Sequence, residues 1–344
     1  MRLIIGFVLI IAAGGDGLVQ DGPHADIYAA MGSDKEKVRA RAALMLGTVA
    51  GGESLALLEE GARKDPSVLV RLACVEGILS RGSVRALPGL FAVGALDSSK
   101  KVRALVTERI AAMVDEKSLP FVRRALEETD PRVRVLVMRT LPVPRPASFY
   151  SMIGRGLADY PEVRSAAFER AMLLSDSVRW RLFEQLSTLE DLKVVMGLAD
   201  ELGRVDDHRV MGLLLSIFDR GDSSPELRPV ARRALMAAKR HLPVRELLQQ
   251  AREHRESHTR MRAIRLLELA GGEEVIRTAD ALLGDPDLPV RATAAMVLAR
   301  LGYEPSLAKL ETMVKDPLNQ RIVGHLERAL TLLRSGETEP EERR

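Results

Sequence analysis

The sequence predicts an all-α solenoid of about ten two-helix repeats, and three columns of residues predict it. The first is a Val-Arg pair at Val38-Arg39, Val70-Arg71, Val102-Arg103, Val133-Arg134, Val163-Arg164 and Val290-Arg291. Weaker forms, Val195-Met196, Leu227-Arg228, Thr259-Arg260 and Gln320-Arg321, fill the remaining gaps, so every spacing between anchors is 30–32 residues. The second column lies three residues beyond each anchor, where a small or β-branched residue stands, from Ala42 and Cys74 through Ala263 and Ala294 to Gly324. The third lies four to six residues before it: Asp34, Asp65, Asp97, Asp130, Asp159, Asp191, Asp222, Asp285 and Asp316, with only the eighth unit lacking an acid. A fixed period of this length marks helix pairs that cannot bury their apolar stripes alone and must stack.

Each column has a local cause. Four of the acids are followed by proline, at Asp65, Asp130, Asp285 and Asp316. Asp at the N-cap accepts orphan amide hydrogens, and proline at the first helical position needs no acceptor. The small residue one turn on lets a neighbouring helix approach. Breaks such as Gly51-Gly52, Arg81-Gly82 and Gly271-Gly272 end each first helix, and a second amphipathic segment follows, as at 53–62, 116–126 and 273–283.

Composition agrees. Of 344 residues 46% are apolar but only 3% aromatic, which suits helices packed through Leu, Ala and Val rather than a sandwich or barrel. A formal net charge of +3 is small for a general nucleic-acid binder. The single cysteine, Cys74, excludes a disulfide framework.

The N-terminus reads as a signal peptide over residues 1–15. Arg2 precedes an unbroken run of apolar residues and glycine at 3–13, and Ala12 to Gly15 supply small residues for cleavage. As a helix the run would span roughly 16 Å, about half a bilayer core. The expectation is an exported protein, periplasmic or secreted, with inner-membrane anchoring by residues 3–13 as the alternative. A linker is expected at 16–29, the repeat array at 30–334, and a polar tail at 335–344.

The pattern D-P-x-V-R-x-x-A resembles short HEAT-like repeats of the kind found in phycobilisome lyase subunits and bacterial scaffold proteins, over about residues 30–334. The resemblance implies a right-handed superhelix with second helices on its concave side. It also implies a structural ladder in which each anchor arginine bonds the loop acid of its own or an adjacent repeat, through Asp34, Arg39, Asp65, Arg71, Asp97, Arg103, Asp130, Arg134, Asp159, Arg164, Asp285 and Arg291. Met196 interrupts it.

Chemistry-bearing motifs are scarce. No phosphate loop, nucleophile elbow, H-E-x-x-H pair or C-x-x-C occurs, nor any His-Glu dipeptide of the kind HEAT-like hydroxylases use. No catalytic residue, metal site or cofactor is expected. His254 and His258 could share one face of a helix at a spacing of four, as a ligand pair would, or could stand in a solvated loop and helix start. Residues 228–265 hold ten Arg and one Lys against three Glu, a local balance of +8 that leaves −5 for the rest. Arg240, Arg245, Arg252 and Arg255 with His254 and His258 are therefore candidate partner-binding residues. The absence of stacking aromatics there argues against nucleic acid. A second candidate is aromatic. The run 141–146 carries three alternating prolines and cannot be helical, and Phe149, Tyr150, Tyr160, Trp180 and Phe183 follow within 35 residues. Tyr150 and Trp180 could be contact anchors or local core.

The function expected is non-enzymatic: a scaffold or adaptor in the bacterial envelope, monomeric, binding a protein partner on the concave face, with membrane contact only through an uncleaved N-terminus. The alternatives are an accessory subunit of an enzyme, as in lyase-type HEAT chains, and a polyanion- or membrane-surface-binding module using 228–265.

Overall fold

A computed structural model describes residues 24–142, 149–221 and 223–335. The expected signal peptide at 1–15, most of the linker and the polar tail beyond residue 335 lie outside them. Among the described residues every regular element is helical. Helices α1 (Ala25–Ala30), α2 (Glu36–Leu46), α3 (Gly52–Lys64), α4 (Val68–Arg81), α5 (Leu87–Leu96), α6 (Lys100–Ile110), α7 (Leu119–Ala125), α8 (Pro131–Thr140), α9 (Tyr150–Leu157), α10 (Pro161–Met172) and α11 (Asp176–Ser187) come first. They are followed by α12 (Leu192–Leu202), α13 (Val210–Arg220), α14 (Leu227–Ala237), α15 (Val244–Glu253), α16 (Ser257–Ala270), α17 (Glu273–Leu282), α18 (Leu288–Arg300), α19 (Leu307–Lys315) and α20 (Val323–Ser335). The chain divides into two compact units, residues 1–198 and 199–344.

The linker expected at 16–29 is corrected at its end. Residues from Ala25 form α1, which packs on α2, because Ile27 and Tyr28 let a short turn cover the exposed flank of the first helix pair. The tenth repeat is also shorter than expected. A 3₁₀ segment, Pro317–Ile322, precedes α20, and no second helix follows within the described residues.

In the first unit the first helices of successive repeats stack, α2 on α4, α4 on α6 and α8 on α10, and a second helix lies mainly against the first helix of the next repeat, α3 on α4, α5 on α6 and α9 on α10. The expected small-residue column forms the seam: Ala42, Cys74, Val106, Val137 and Ala167 are all buried. One stack is irregular. Helix α8 packs on α5 instead of seating on α6. Gly94 of α5 permits this, since a Cβ there would lie 2.8 Å from Val106 Cγ1 and 2.9 Å from Leu136 Cδ2. Both helices thus crowd a residue with no side chain.

In the second unit α13 packs on α14, α15 on α16, α16 on α18 and α18 on α20. Ala231, Ala263 and Ala294 occupy the same buried column.

Candidate functional site

The anchor arginines reach forward along the chain. Arg39 Nε and Nη2 donate to Asp65 Oδ2 and Oδ1 at 2.8 and 3.0 Å. Arg71 grips Asp97 at 2.8 and 3.0 Å, Arg134 grips Asp159 at 2.7 and 2.8 Å, and Arg260 grips Asp285 at 2.8 Å twice. In each case the acid belongs to the next repeat. The arginine meets its own loop only through backbone: Nη1 of Arg39 donates to the carbonyls of Ser33 and Asp34, six and five residues back. Among the described residues no anchor arginine forks onto the carboxylate of Asp34, which meets Arg39 through its backbone carbonyl. Carboxylate hydrogen bonding holds Arg39, Arg71, Arg134 and Arg260 above the ordinary guanidinium range.

Each loop acid has a second task. Oδ1 of Asp65, Asp97 and Asp285 accepts the amide two residues on, at 2.8, 2.7 and 2.9 Å, and so starts the next first helix. One residue both opens a helix and ties two repeats.

Two rungs depart from the expected ladder. Asp130 turns onto Arg132, two residues away, with Nη2–Oδ2 at 2.7 Å, and not onto Arg103. Arg291 finds the buried amide of Asn319 at 2.9 Å in place of an acid. Arg164 stands half-buried on α10, and Asp191 caps the start of α12 through the Lys193 amide at 3.0 Å.

The eighth unit lacks an acid before Arg260, yet Arg260 is among the best-partnered arginines, because its partner comes from the ninth. The position that corresponds to the loop acid is 254. There His254 Nδ1 accepts from Glu256 N at 3.2 Å, which replaces the capping half of the acid's role but not the ion pair. His254 ends α15 and His258 opens α16, so the two do not share a helix face as a ligand pair would. Among the described residues no group of three or more His, Cys, Asp or Glu side chains is placed to hold a metal ion.

The basic run 228–265 is largely paired with acids from outside it. Arg232 donates to Glu268 at 2.5 Å, and Arg300 reaches the same carboxylate at 3.2 Å. Arg233 meets Asp200 at 3.3 Å, Arg240 and His241 share Asp206 at 2.8 and 3.0 Å, and Arg262 meets Asp219 at 2.6 Å. Arg252 bonds Thr278 at 2.7 Å and Glu274 at 3.3 Å. Lys239, Arg245 and Arg255 stay exposed without an ion pair among the described residues. A patch of +8 is therefore not what the surface presents.

The aromatic residues are mostly core. Phe168 and Phe183 stack at 5.3 Å, and Trp180 meets Phe183 edge-on at 5.6 Å. Arg179 lies over Trp180 at 5.8 Å and Arg134 over the exposed ring of Tyr160 at 5.6 Å. Tyr150 is half-buried and lines a cavity of about 210 Å³ with Val178, Arg181, Leu182 and Gln185. Of the prolines, Pro142 follows the end of α8, and residues 143–148 lie outside the described region.

A feature the sequence did not disclose is an open groove of about 670 Å³ in the second unit, beside α13. Gly212, Leu215, Ser216, Asp219 and Arg220 line it, with Arg262 of α16 opposite. A Cβ at Gly212 would meet nothing within 4 Å, so this helix face is uncovered. The only prior signal was Gly212 inside an otherwise apolar helix.

No helix among the described residues is long and apolar enough to cross a membrane. The chain can be set beside known proteins on this geometry. No curated protein matches it. One solved structure similar to it is an engineered protein, 16% identical over 91% of this chain and 99% of that one, with a TM-score of 0.28. Residues 244–331, spanning α15 to α20 within the second unit, match the HEAT repeats family, and the helix pairs of this stretch are HEAT-like repeats.

Proposed function

We propose that this chain is an adaptor that binds a partner protein, with the uncovered face of α13 and the groove beside it as the binding surface. HEAT repeats commonly mediate protein–protein interaction. The observation that carries the choice of surface is the groove itself: an apolar floor at Leu215, an open position at Gly212, and a rim of Asp219, Arg220 and Arg262. A floor of this kind gains from burial, while paired charges at the rim set orientation. Arg2 and the apolar run 3–13 support an envelope location. The pairing within 228–265 weighs against a charge-driven polyanion surface.

The test is site-specific photo-crosslinking in cells. A photoreactive residue at Ser216 or Arg220 should give one discrete protein adduct, and the same residue at Arg245 or Arg255 should give none. Adducts arising only from Arg245 and Arg255 would overturn the groove and return the reading to the basic segment.

A further inference from the structure

The ladder contains four examples of how this chain builds a receptor for a carboxylate, and a fifth receptor without its carboxylate. In Arg71 the recipe is a clamp and a fork. Nη1 is clamped by the carbonyls of Asp65 and Pro66 at 2.9 and 3.3 Å, and Nε and Nη2 face the acid. Arg39, Arg134 and Arg260 repeat it on carbonyls six and five residues back. Arg103 has the same clamp, Nη1 to Asp97 O at 2.5 Å and to Ser98 O at 3.1 Å. Its fork meets no carboxylate within ion-pair distance among the described residues.

The cause is local. Asp130, the acid due at this rung, is held by Arg132, and α8 leans on α5 past Gly94. The rung is left uncovered as a result: Arg103 is half-exposed where Arg39, Arg71, Arg134 and Arg260 are buried. Lys100 and Lys101, at the start of the same helix, are exposed. A clamped guanidinium has already lost most of its rotamer freedom, so a carboxylate arriving there forms two charge-assisted hydrogen bonds at little ordering cost.

We propose that Arg103 is a receptor for an aspartate or glutamate side chain of a partner protein, which completes from outside the rung that Asp130 leaves open. This rests on the reading that the chain binds a protein, and places a second, acid-specific contact on the first unit.

The probe is a capped six-residue peptide of alternating Asp and Gly, titrated calorimetrically into the full chain at fixed ionic strength. Saturable binding to the unaltered chain is expected. Arg103→Gln should weaken it about tenfold or more, and Arg103→Lys should weaken it comparably, because an ammonium cannot present a fork. The double variant Arg245→Gln/Arg255→Gln should bind unchanged. Circular dichroism and an unaltered thermal midpoint identify folded variants, and Arg103→Lys preserves the charge should Arg103→Gln fail to fold. Absence of saturable binding, equal binding by Arg103→Lys, or tighter binding of the same peptide with phosphoserine in place of Asp would each overturn the proposal. None of these results bears on crosslinking from Ser216, so the two readings fail separately.

Discussion

Arg71 and Asp97 form a buried two-pronged ion pair, Nε–Oδ2 at 2.8 Å and Nη2–Oδ1 at 3.0 Å, across 26 residues of chain. Their side chains are 9% and 5% exposed, so the pair works out of water. The arginine leaves the first helix of one repeat, and the acid opens the first helix of the next. The pair therefore fixes the translation between repeats, which apolar packing alone sets loosely.

Asp97→Asn keeps the shape and the cap but leaves Arg71 as a buried, uncompensated cation. Loss of one partner of a buried pair costs about 3 kcal/mol. Asp130→Asn, whose partner Arg132 is 70% exposed, should leave the unfolding midpoint nearly unchanged. Urea unfolding of the two variants checks the contrast, and equal midpoints would show that the rungs carry no stability.

Glu268 presents a different arrangement, one buried carboxylate held by Arg232 and Arg300 from helices on either side. Glu268→Gln leaves two guanidiniums facing each other, whereas Arg232→Met leaves one good pair. The first should lower stability by about 3 kcal/mol and the second by about 1 kcal/mol, since Arg232 is itself 31% exposed. Thermal unfolding at two salt concentrations measures both, and a larger loss in Arg232→Met would contradict the geometry.

Cys74 is sealed between α3 and α4, and burial, with Asp65 nearby, pushes its thiol up to about 12 while Arg39 opposes the shift. At pH 8 the thiolate fraction is then on the order of one in ten thousand. A disulfide reagent should label the folded chain orders of magnitude more slowly than the urea-unfolded chain. Labelling of the folded chain at the rate of a free thiol would mean that this seam opens.

Asp207 accepts the Arg209 fork, Nη2–Oδ2 at 2.6 Å, and its backbone amide at 2.9 Å, which hold the carboxyl down at about 2. A carboxyl depressed on folding stabilises the native state above its unfolded value of 3.8 and loses that contribution as pH falls toward about 2. Carbon-13 titration should find the Asp207 midpoint low in the intact chain and raised toward the ordinary range in Arg209→Gln. The depression should also shrink at high salt, because the pair lies at the surface. An unaltered midpoint in Arg209→Gln would remove Arg209 as the cause.

Most of the fold was legible because its signals are local. The Asp–Pro caps, the anchor arginines and the small-residue column act within a helix or one turn of it, and side-chain spacing along a helix is read directly from sequence. The same is true of the seam through Ala42, Cys74 and Val106, whose burial follows from a narrow apolar stripe.

Only the tertiary structure decided who pairs with whom. Asp65 lies six residues before Arg71 and 26 after Arg39, and sequence distance favours the nearer. The clamp of Arg71 on its own loop carbonyls turns its fork away from that loop, so Asp65 goes to Arg39. The +8 of 228–265 is offset by Asp200, Asp206, Asp219, Glu268, Glu274 and Asp285, acids that stacking brings in from outside the run. Asp130 is the opposite case, a competitor two residues away that wins because α8 has slipped onto α5 at Gly94. Charge is written along the chain, but ion pairing depends on distance in space, and that is set by how the repeats stack.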